Sequence, residues 1–296
     1  MSFLRRLFYL ALATASIGLS FYIIELLLTD LGAIQLLGIR QHGVLYTGLI
    51  LSWFGCLVTW YIARDIAMGA TMTHVLSDDE WPSLVAHLAK RAGLSEVPQL
   101  GVYQNAGCNA FVVGRRKRGM LLALSQGLVD LGPGPAADLI IAHQLARIEQ
   151  GDVVTQQLLQ GFIAIFTLFP TRMLATFLGT SLRTGEDDTP TDGMEGFLVP
   201  LLEMLLTPYA SLLLRFYARG AEARCDQSAC AILGLPQVVS GFTALVNAPV
   251  AQPYREIFVQ PLKFSGEAKS VMGLLLYHLP LAQRLTVLGQ RNSAKV

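Results

Sequence analysis

Four long apolar stretches alternate with polar segments along the chain. Leu7–Leu28 contains one charged residue, Glu25, and Val44–Ala63 contains none. A transmembrane helix needs about 20 mostly apolar residues, so both stretches are predicted to span a membrane. The stretches 158–182 and 197–214 are interrupted by prolines and charges. Each fits a span, a re-entrant segment or a buried hairpin, and the flanking charges favour spans.

The charges around these stretches predict an orientation. The flanking arginines are Arg5, Arg6, Arg64, Arg215 and Arg219. The loop 183–196 instead carries five acidic residues and one arginine. Since an excess of Lys and Arg marks the cytoplasmic side, the pattern predicts about four transmembrane helices with both chain ends in the cytosol.

This topology predicts four regions. They are an N-terminal transmembrane hairpin at 1–64, the first part of a cytosolic domain at 65–155, a membrane hairpin insertion at 156–214 and the second part of the domain at 215–296.

The composition agrees with a membrane protein. Hydrophobic residues make up 53% and charged residues 15% of the chain, and the mean hydropathy is +0.49. Soluble domains are about 25% charged. Intrinsic disorder is excluded because it requires low hydrophobicity and high charge, and a net charge of +1 gives no reason to expect nucleic-acid binding. Three of the four cysteines fall in the predicted cytosolic parts, where a structural disulfide is not expected.

The cytosolic part is predicted to be α+β and mainly helical, with a small sheet. A capping box at Ser77–Glu80 predicts a helix that ends near Gly93. Residues 98–113 are predicted to form two short strands around a turn at 105–107, and 120–124 a third strand. Further helices are predicted at 135–150 and 226–233, the second ended by Gly234.

The helix at 135–150 contains the string His143-Gln-Leu-Ala-Arg147. Its skeleton is that of the zinc-peptidase motif H-E-x-x-H, in which two histidines on one helical face bind zinc and the glutamate activates the bound water. Gln144 stands where the base belongs, and Arg147 stands where the second histidine belongs. Taken alone, this string indicates only a partly exposed helix with a hydrogen-bonded histidine.

The remainder of the chain resembles the HtpX-type membrane metallopeptidases of bacteria, gluzincins related to the CAAX-processing proteases. The resemblance covers nearly the whole chain in register. Besides the paired N-terminal spans and the membrane hairpin, its blocks are Pro98–Tyr103, Asn109–Phe111 with Gly114, Ser125–Leu128, Ile141–Asp152, Glu222–Asp226, His278–Leu281 and Arg284-Leu285. It implies a zincin-like domain facing the cytosol and a location in the bacterial inner membrane.

The resemblance also implies a role for individual residues. The first zinc ligand is carried over to His143, the catalytic base to Gln144, the second ligand to Arg147 and the third ligand to Glu222. Asp226 takes the supporting acidic position behind the ligands. The segment Asn109, Ala110 and Phe111 becomes the edge strand that would hold a peptide by β-augmentation.

The two departures from the family fall on its chemistry. An amide such as Gln144 has no useful proton affinity near neutral pH, and the loss of a general base costs about 10²–10⁴-fold in rate. Arg147 stays protonated and cannot ligate a cation. Because only His143 and Glu222 remain of three ligands, we expect no bound zinc. Arg147 is expected to fill the vacated position and pair with Glu222 or Asp226, the alternative being that it turns out to solvent.

Three functions follow as expectations. The first is a pseudoprotease in membrane-protein quality control and stress response, which binds unfolded membrane-protein segments or an active HtpX-type protease. The second is a residual zinc metalloendopeptidase that cleaves misfolded membrane proteins, and the third is a membrane scaffold. The lipid bilayer is an expected partner and nucleic acid is not.

Three weaker hypotheses concern residues outside this motif. Cys108 and Cys225 could contribute to a rebuilt metal site. The basic turn Arg115–Arg118 could contact anionic headgroups, although a solvated turn explains it as well. Arg172 and Glu203 could pair in the membrane, or each could reach an interface.

Overall fold

The computed structural model describes residues 2–30, 40, 42–76, 80–115, 119–162, 192–248, 262–264 and 278–293. The chain divides into two compact units. The first contains Met1–Thr59 and Leu158–Leu213, and the second contains Trp60–Gln157 and Leu214–Val296. Each unit is described below by itself.

Two long apolar helices begin the described part of the chain, and the second of them continues from the first unit into the second. Helix α1 covers Ser2–Asp30 and α2 covers Gly43–Thr71, and both are long and apolar enough to cross a membrane. The carboxylate of Glu25 is buried, and its Oε2 accepts the Leu45 N–H at 3.0 Å. It thereby satisfies a backbone donor in the first turn of α2, which helix geometry leaves without a partner. The single charge of the first apolar stretch therefore has a structural role.

The structure describes only part of the two later apolar stretches. Most of the stretch 158–182, including Arg172, lies outside the described residues. The stretch 197–214 is part of one continuous 42-residue helix, α6, from Asp192 to Leu233. The expected membrane element and the expected helix at 226–233 are therefore a single helix, which ends where predicted, before Gly234. Pro200 and Pro208 remove hydrogen-bond donors but do not end it.

The second unit contains a four-stranded sheet. Its strands are β1 His74–Val75, β2 Gln99–Tyr103, β3 Ala110–Val113 and β4 Leu121–Ser125, in the order β1-β2-β4-β3. Three of them confirm the predicted strands. The strands on either side of the turn at 105–107 do not pair with each other, because β2 runs parallel to β4 and β3 runs antiparallel to β4. β3 is thereby the last strand of the sheet.

The second unit also contains several helices. Helix α3 covers Glu80–Arg91. Residues 77–79 lie outside the described residues, so the predicted capping box is not tested by the structure. Helix α4 covers Gln126–Leu131 and is capped by Ser125, whose side chain accepts the Leu128 N–H. Helices α7 and α8 follow at Leu235–Val246 and Leu281–Ser293.

Helix α5, Pro135–Gln150, is the central helix of the second unit. Proline occupies its first turn, and Gly151 ends it with a φ of 69° in the left-handed region that glycine adopts without strain. Twelve of its sixteen residues are buried, as expected for a helix packed on all sides. The expectation of a partly exposed helix, drawn from the HQLAR string alone, is therefore wrong.

Of the basic turn, only Arg115 belongs to the described part of the chain. Its guanidinium lies 4.1 Å from the centre of the Tyr61 ring, which is cation–π geometry.

Candidate functional site

The predicted site lies on α5, inside the second unit. His143, Gln144 and Arg147 are all buried, with at most 1% of each residue exposed. Helix α6 contributes Glu222 and Asp226 from the other side of the site, and both carboxylates are buried as well. The structure thus brings four ionisable side chains, those of His143, Arg147, Glu222 and Asp226, together in a small volume.

His143, Asp226 and Arg284 form one hydrogen-bonded group. The His143 Nδ1 lies 2.8 Å from Asp226 Oδ1. Arg284, on α8, donates from Nε to Asp226 Oδ2 at 2.9 Å and from Nη2 to Oδ1 at 2.5 Å. Because an ionised carboxylate only accepts hydrogen bonds, we assign the His143 proton to Nδ1. This assignment leaves Nε2 as the only ring nitrogen able to bind an electrophile.

Burial and charge set the ionisation of this group. Burial, with the positive charges of Arg284 and Arg147, lowers the pKa of His143 to about 4, although Asp226 opposes the shift. Burial alone would raise the pKa of Asp226, but Arg284 and His143 overcome it and hold that pKa far below its usual range. At neutral pH the group therefore consists of a neutral imidazole, a carboxylate and a guanidinium.

Arg147 fills the space in front of the free imidazole nitrogen. Its Nη2 lies 3.3 Å from His143 Nε2, and its Nη1 donates to the carbonyl oxygen of Leu262 at 2.6 Å and lies 3.5 Å from that of Lys263. A guanidinium therefore occupies the position that a metal bound to Nε2 would require.

The expected ion pair of Arg147 is wrong. Among the described residues, the ion pairs of Asp226 are with His143 and Arg284, and that of Glu222 is with His278. Both carboxylates are already engaged, and the Leu262 carbonyl is within reach of the guanidinium. The alternative expectation, that Arg147 turns out to solvent, is also wrong because the residue is 1% exposed.

Gln144 also contacts backbone carbonyls. Its Nε2 donates to Ala110 O at 2.7 Å and lies 3.4 Å from Leu262 O. No atom in the described ranges donates a hydrogen bond to its buried Oε1. The amide at the position of the catalytic base thus links α5 to the last strand of the sheet.

Glu222 faces His278 and the start of the segment that follows it. Its Oε1 contacts His278 Nδ1, and its Oε2 accepts the Leu279 N–H at 3.3 Å. Burial acts to raise the pKa of Glu222, but the charge and hydrogen bond of His278 lower it below the usual value. The candidate third ligand is thereby held by a histidine that the sequence analysis assigned no role.

These residues do not fit a zinc ion. A catalytic zinc needs three protein ligands and an open position, whereas Arg147 occupies the free nitrogen of His143 and His278 engages Glu222. Across the described ranges, no group of three or more His, Cys, Asp or Glu side chains is arranged to hold a metal. Burial raises the pKa of Cys225 to about 12 and also raises that of Cys108. In the described part of the chain, neither cysteine belongs to a group of side chains arranged to hold a metal.

The predicted substrate strand is buried and its outer side is occupied. Asn109, Ala110 and Phe111 are each at most 3% exposed. Phe111 forms an antiparallel bridge with Lys263, and the Phe264 N–H lies 2.9 Å from Ala110 O and 3.0 Å from Asn109 Oδ1. The edge where a peptide would bind is covered by a segment of the same chain.

The sequence analysis missed several residues of this site. His278 and Arg284 were named only within the blocks that carry the family resemblance, and no role was predicted for Leu262–Phe264. A buried arginine could have been suspected from the acidic positions of α6, which need a counter-charge. No local pattern indicates that Leu262–Phe264 pairs with β3.

Comparison with known proteins places the chain among the peptidases. The profile of Peptidase family M48 matches residues 76–288. Protease HtpX of Pasteurella multocida is 28% identical over 88% of this chain and 93% of its own length. Protease HtpX of Escherichia coli K12 is 26% identical over 86% of this chain and 90% of its own length.

A solved structure supports the fold. The crystal structure of Ste24p from S. mikatae aligns with a TM-score of 0.52 at 16% identity, over 97% of this chain and 66% of that protein. The described part of this chain is mainly helical and contains a small mixed sheet. The expected resemblance to HtpX-type metallopeptidases is thereby confirmed, and the chain belongs to peptidase family M48.

Proposed function

We propose that this chain is a proteolytically silent HtpX-like membrane protein that binds polypeptide without cleaving it. One observation carries the proposal: a guanidinium nitrogen of Arg147 lies 3.3 Å from the only ring nitrogen of His143 left for a metal. A permanent cation at this position repels Zn²⁺ as well as blocking it. No group in the described part of the site can replace both the metal and the base.

The chemistry of Gln144 supports the same conclusion. Water attack on an amide needs a group that removes a proton, and a carboxamide does not accept one near neutral pH. The amide nitrogen of Gln144 instead donates to Ala110 O at 2.7 Å. The side chain acts as a hydrogen-bond donor to backbone, which is a binding role.

The preserved sheet edge supports polypeptide binding over a purely structural role. β3 is the last strand of the sheet, and its outer side accepts a backbone in antiparallel orientation. Extended segments bind other proteins by this mode. Unfolded segments of membrane proteins, or an active HtpX-type protease, are the partners we propose, within membrane-protein quality control and the stress response.

Metal content and cleavage test this function together. Full-length protein purified in detergent, without chelator, is expected to hold well under one zinc per chain and to leave fluorescein-labelled casein intact. An active HtpX-type protease purified in parallel is the positive control. Stoichiometric zinc together with casein cleavage that a chelator abolishes would overturn the proposal.

The second candidate function is residual zinc peptidase activity. His143, Glu222 and Asp226 are all present and buried, which keeps part of the ligand framework. The same experiment decides between the two, because a residual peptidase must show chelator-sensitive cleavage.

Membrane placement completes the proposal. We propose that the chain crosses the bacterial inner membrane about four times, with the M48 domain in the cytosol. The two apolar helices α1 and α2 support it, as does the acidic character of the loop 183–196 between flanking arginines. Reporter fusions within that loop should read as periplasmic. A cytosolic signal there would reduce the two later stretches to a buried hairpin.

A further inference from the structure

We infer that Gln144 and Arg147 form a binding site for backbone carbonyls, and that its ligand is the chain's own segment Leu262–Phe264, seated along β3. This inference rests on the proposed function, since a site with zinc in place of Arg147 could not hold the segment in this way. It adds a regulatory consequence: the polypeptide-binding edge is closed in cis and opens when the segment leaves.

The segment pairs with β3 as an added strand. Lys263 lies opposite Phe111 in an antiparallel bridge, and the Phe264 N–H donates to Ala110 O at 2.9 Å. Because that bond joins the residues flanking the pair, Phe111 and Lys263 form a non-hydrogen-bonded pair, in which the Cα atoms are about 4.5 Å apart. The backbone thus follows the geometry of β-augmentation, with the ligand supplied by the same chain.

Side chains at the altered catalytic positions hold the carbonyls of this segment. Arg147 Nη1 donates to Leu262 O at 2.6 Å, and Gln144 Nε2 lies 3.4 Å from the same oxygen. Arg284 Nη1 donates to Phe264 O at 2.7 Å. In a zinc peptidase the metal polarises the carbonyl of a bound peptide, whereas here a guanidinium donates a hydrogen bond to one.

The segment is also buried through its side chains. Leu262 and Phe264 are fully buried and Lys263 is 4% exposed. The Phe264 ring packs edge-on against His143, with 4.9 Å between ring centres, and Arg284 lies 4.3 Å from its centre. Backbone hydrogen bonds and apolar burial therefore act together, and a segment in trans must replace both before it can bind.

A cross-strand disulfide tests the register. In full-length protein whose four native cysteines are replaced by alanine, Phe111→Cys with Lys263→Cys should form an intramolecular disulfide on mild oxidation, because the pair lies within disulfide range. The matched control is Val113→Cys with Lys263→Cys, which moves one thiol two residues along β3 and should cross-link at least about 10-fold more slowly. Equal rates in the two variants, or no cross-link in the first, would overturn the assigned pairing.

Hydrogen exchange tests the role of Arg147. The Phe264 amide should exchange slowly in the wild-type protein in micelles. Arg147→Ala should raise its exchange rate about 10-fold, which corresponds to losing one charge-assisted hydrogen bond. Arg224→Ala, which removes a different arginine from an ion pair with Asp152, is the control and should leave this amide unchanged. Free exchange of the Phe264 amide in the wild type would overturn the inference.

Retention of fold is checked with Arg147→Lys. This variant keeps the charge but has one ammonium in place of the planar fork, and it should give an intermediate exchange rate at the Phe264 amide. An unchanged rate in both Arg147 variants would overturn the role of the guanidinium.

The regulatory consequence is tested with the same disulfide. Fluorescein-labelled casein should bind the reduced form of Phe111→Cys with Lys263→Cys at least about 10-fold more tightly than the oxidised form, in which the segment is locked onto β3. Equal binding by the two forms would overturn cis closure. That failure is distinct from failure of the proposed function, which is read from zinc content and cleavage.

Discussion

His143 and Arg147 lie one turn apart on α5, yet their neighbours are organised for different purposes. His143 faces Asp226 and Arg284, a group that orients the ring through Nδ1. Arg147 faces the backbone of Leu262 and Lys263. We call His143, Asp226 and Arg284 the supporting half of the site. Gln144 and Arg147, with the segment that they contact, are the reactive half. The supporting half orients the His143 ring, whereas the reactive half binds a segment of the chain itself.

Under the proposed function, this site has lost its reaction and kept its fold. The group of His143, Asp226 and Arg284 links α5, α6 and α8. The carboxylate of Asp226 accepts hydrogen bonds from the His143 ring and from the Arg284 guanidinium, whose positive charge balances its own. In the reactive half, Gln144 has the length of a glutamate and Arg147 is longer than a histidine. The polar atoms of both side chains donate to backbone carbonyls. Four predictions test the difference between the two halves, in decreasing order of expected effect.

Restoring both family residues should convert the reactive half into a zinc site. Gln144→Glu with Arg147→His removes the cation and supplies a base and an imidazole beside His143, so we expect zinc content to rise from well under one to about one per chain. Three ligands are then available once Glu222 turns from His278. Elemental analysis of the purified variant measures this. The control, Gln144→Ala with Arg147→Ala, opens space without ligands and should stay metal-free.

A restored variant that also stays metal-free would show that His278 holds Glu222 too firmly. Adding His278→Ala to the restored pair separates this outcome from misfolding, since zinc should then bind. Cleavage of casein by the zinc-loaded variant would show that the substrate edge is still accessible.

Breaking the supporting half should cost more stability than breaking a partly exposed ion pair. Arg284→Met removes both hydrogen bonds to Asp226 and leaves a buried carboxylate beside His143, which costs about 3–5 kcal/mol. The matched control is Arg224→Met, whose partly exposed guanidinium pairs with the buried carboxylate of Asp152 at 2.7 Å. Because the Tyr217 hydroxyl still donates to that carboxylate, we expect a smaller loss. Thermal unfolding followed by tryptophan fluorescence compares them. Equal losses would contradict a central role for Arg284.

Acid should destabilise the supporting half through His143. Its pKa is lowered from 6.5 to about 4 in the folded protein, so the unfolded chain binds a proton in this range while the folded chain does not. The stabilisation is complete above pH 6.5 and is lost as the pH falls towards 4, by at most about 1.4 kcal/mol per pH unit. Thermal unfolding between pH 4 and 8 measures the slope.

His143→Asn should flatten that slope, because the asparagine side chain does not titrate. Exposed His87 is the control position, and His87→Asn should retain the slope. Glu222 and Asp226 have lowered pKa values, so their stabilisation is present above the unfolded carboxyl range and is lost only at more acidic pH. A slope that persists in His143→Asn would assign the acid sensitivity to other groups.

Within the reactive half, Arg147→Ala should reduce stability more than Gln144→Ala. Arg147 makes charge-assisted hydrogen bonds, worth about 1.5–3 kcal/mol, whereas those of Gln144 are neutral and worth about 1 kcal/mol. Both side chains are buried, so a difference in solvent exposure does not affect the comparison of the two stability losses. Thermal unfolding of the two variants at pH 7.5 decides the order, and a larger loss in Gln144→Ala would contradict it.

Much of the local structure could be predicted because it depends on neighbouring residues. Apolar length predicted α1 and α2, and the proline and glycines around 135–151 predicted both ends of α5. The turns at 105–107 and 114–119 predicted the strands β2, β3 and β4 on either side of them. The lack of a proton acceptor in the side chain at position 144 could likewise be predicted, since the chemistry of an amide does not depend on its surroundings.

The sequence by itself determined the family, the helices and strands and the two changed positions, because these follow from residue type and short-range spacing. Only the tertiary structure decided where Arg147 points. The reason is competition between distant partners: Arg284 and His278 already neutralise Asp226 and Glu222, and Leu262 brings its carbonyl oxygen within 2.6 Å of the guanidinium. A side chain with several possible partners is oriented by the packing of all of them, and no local pattern records that packing.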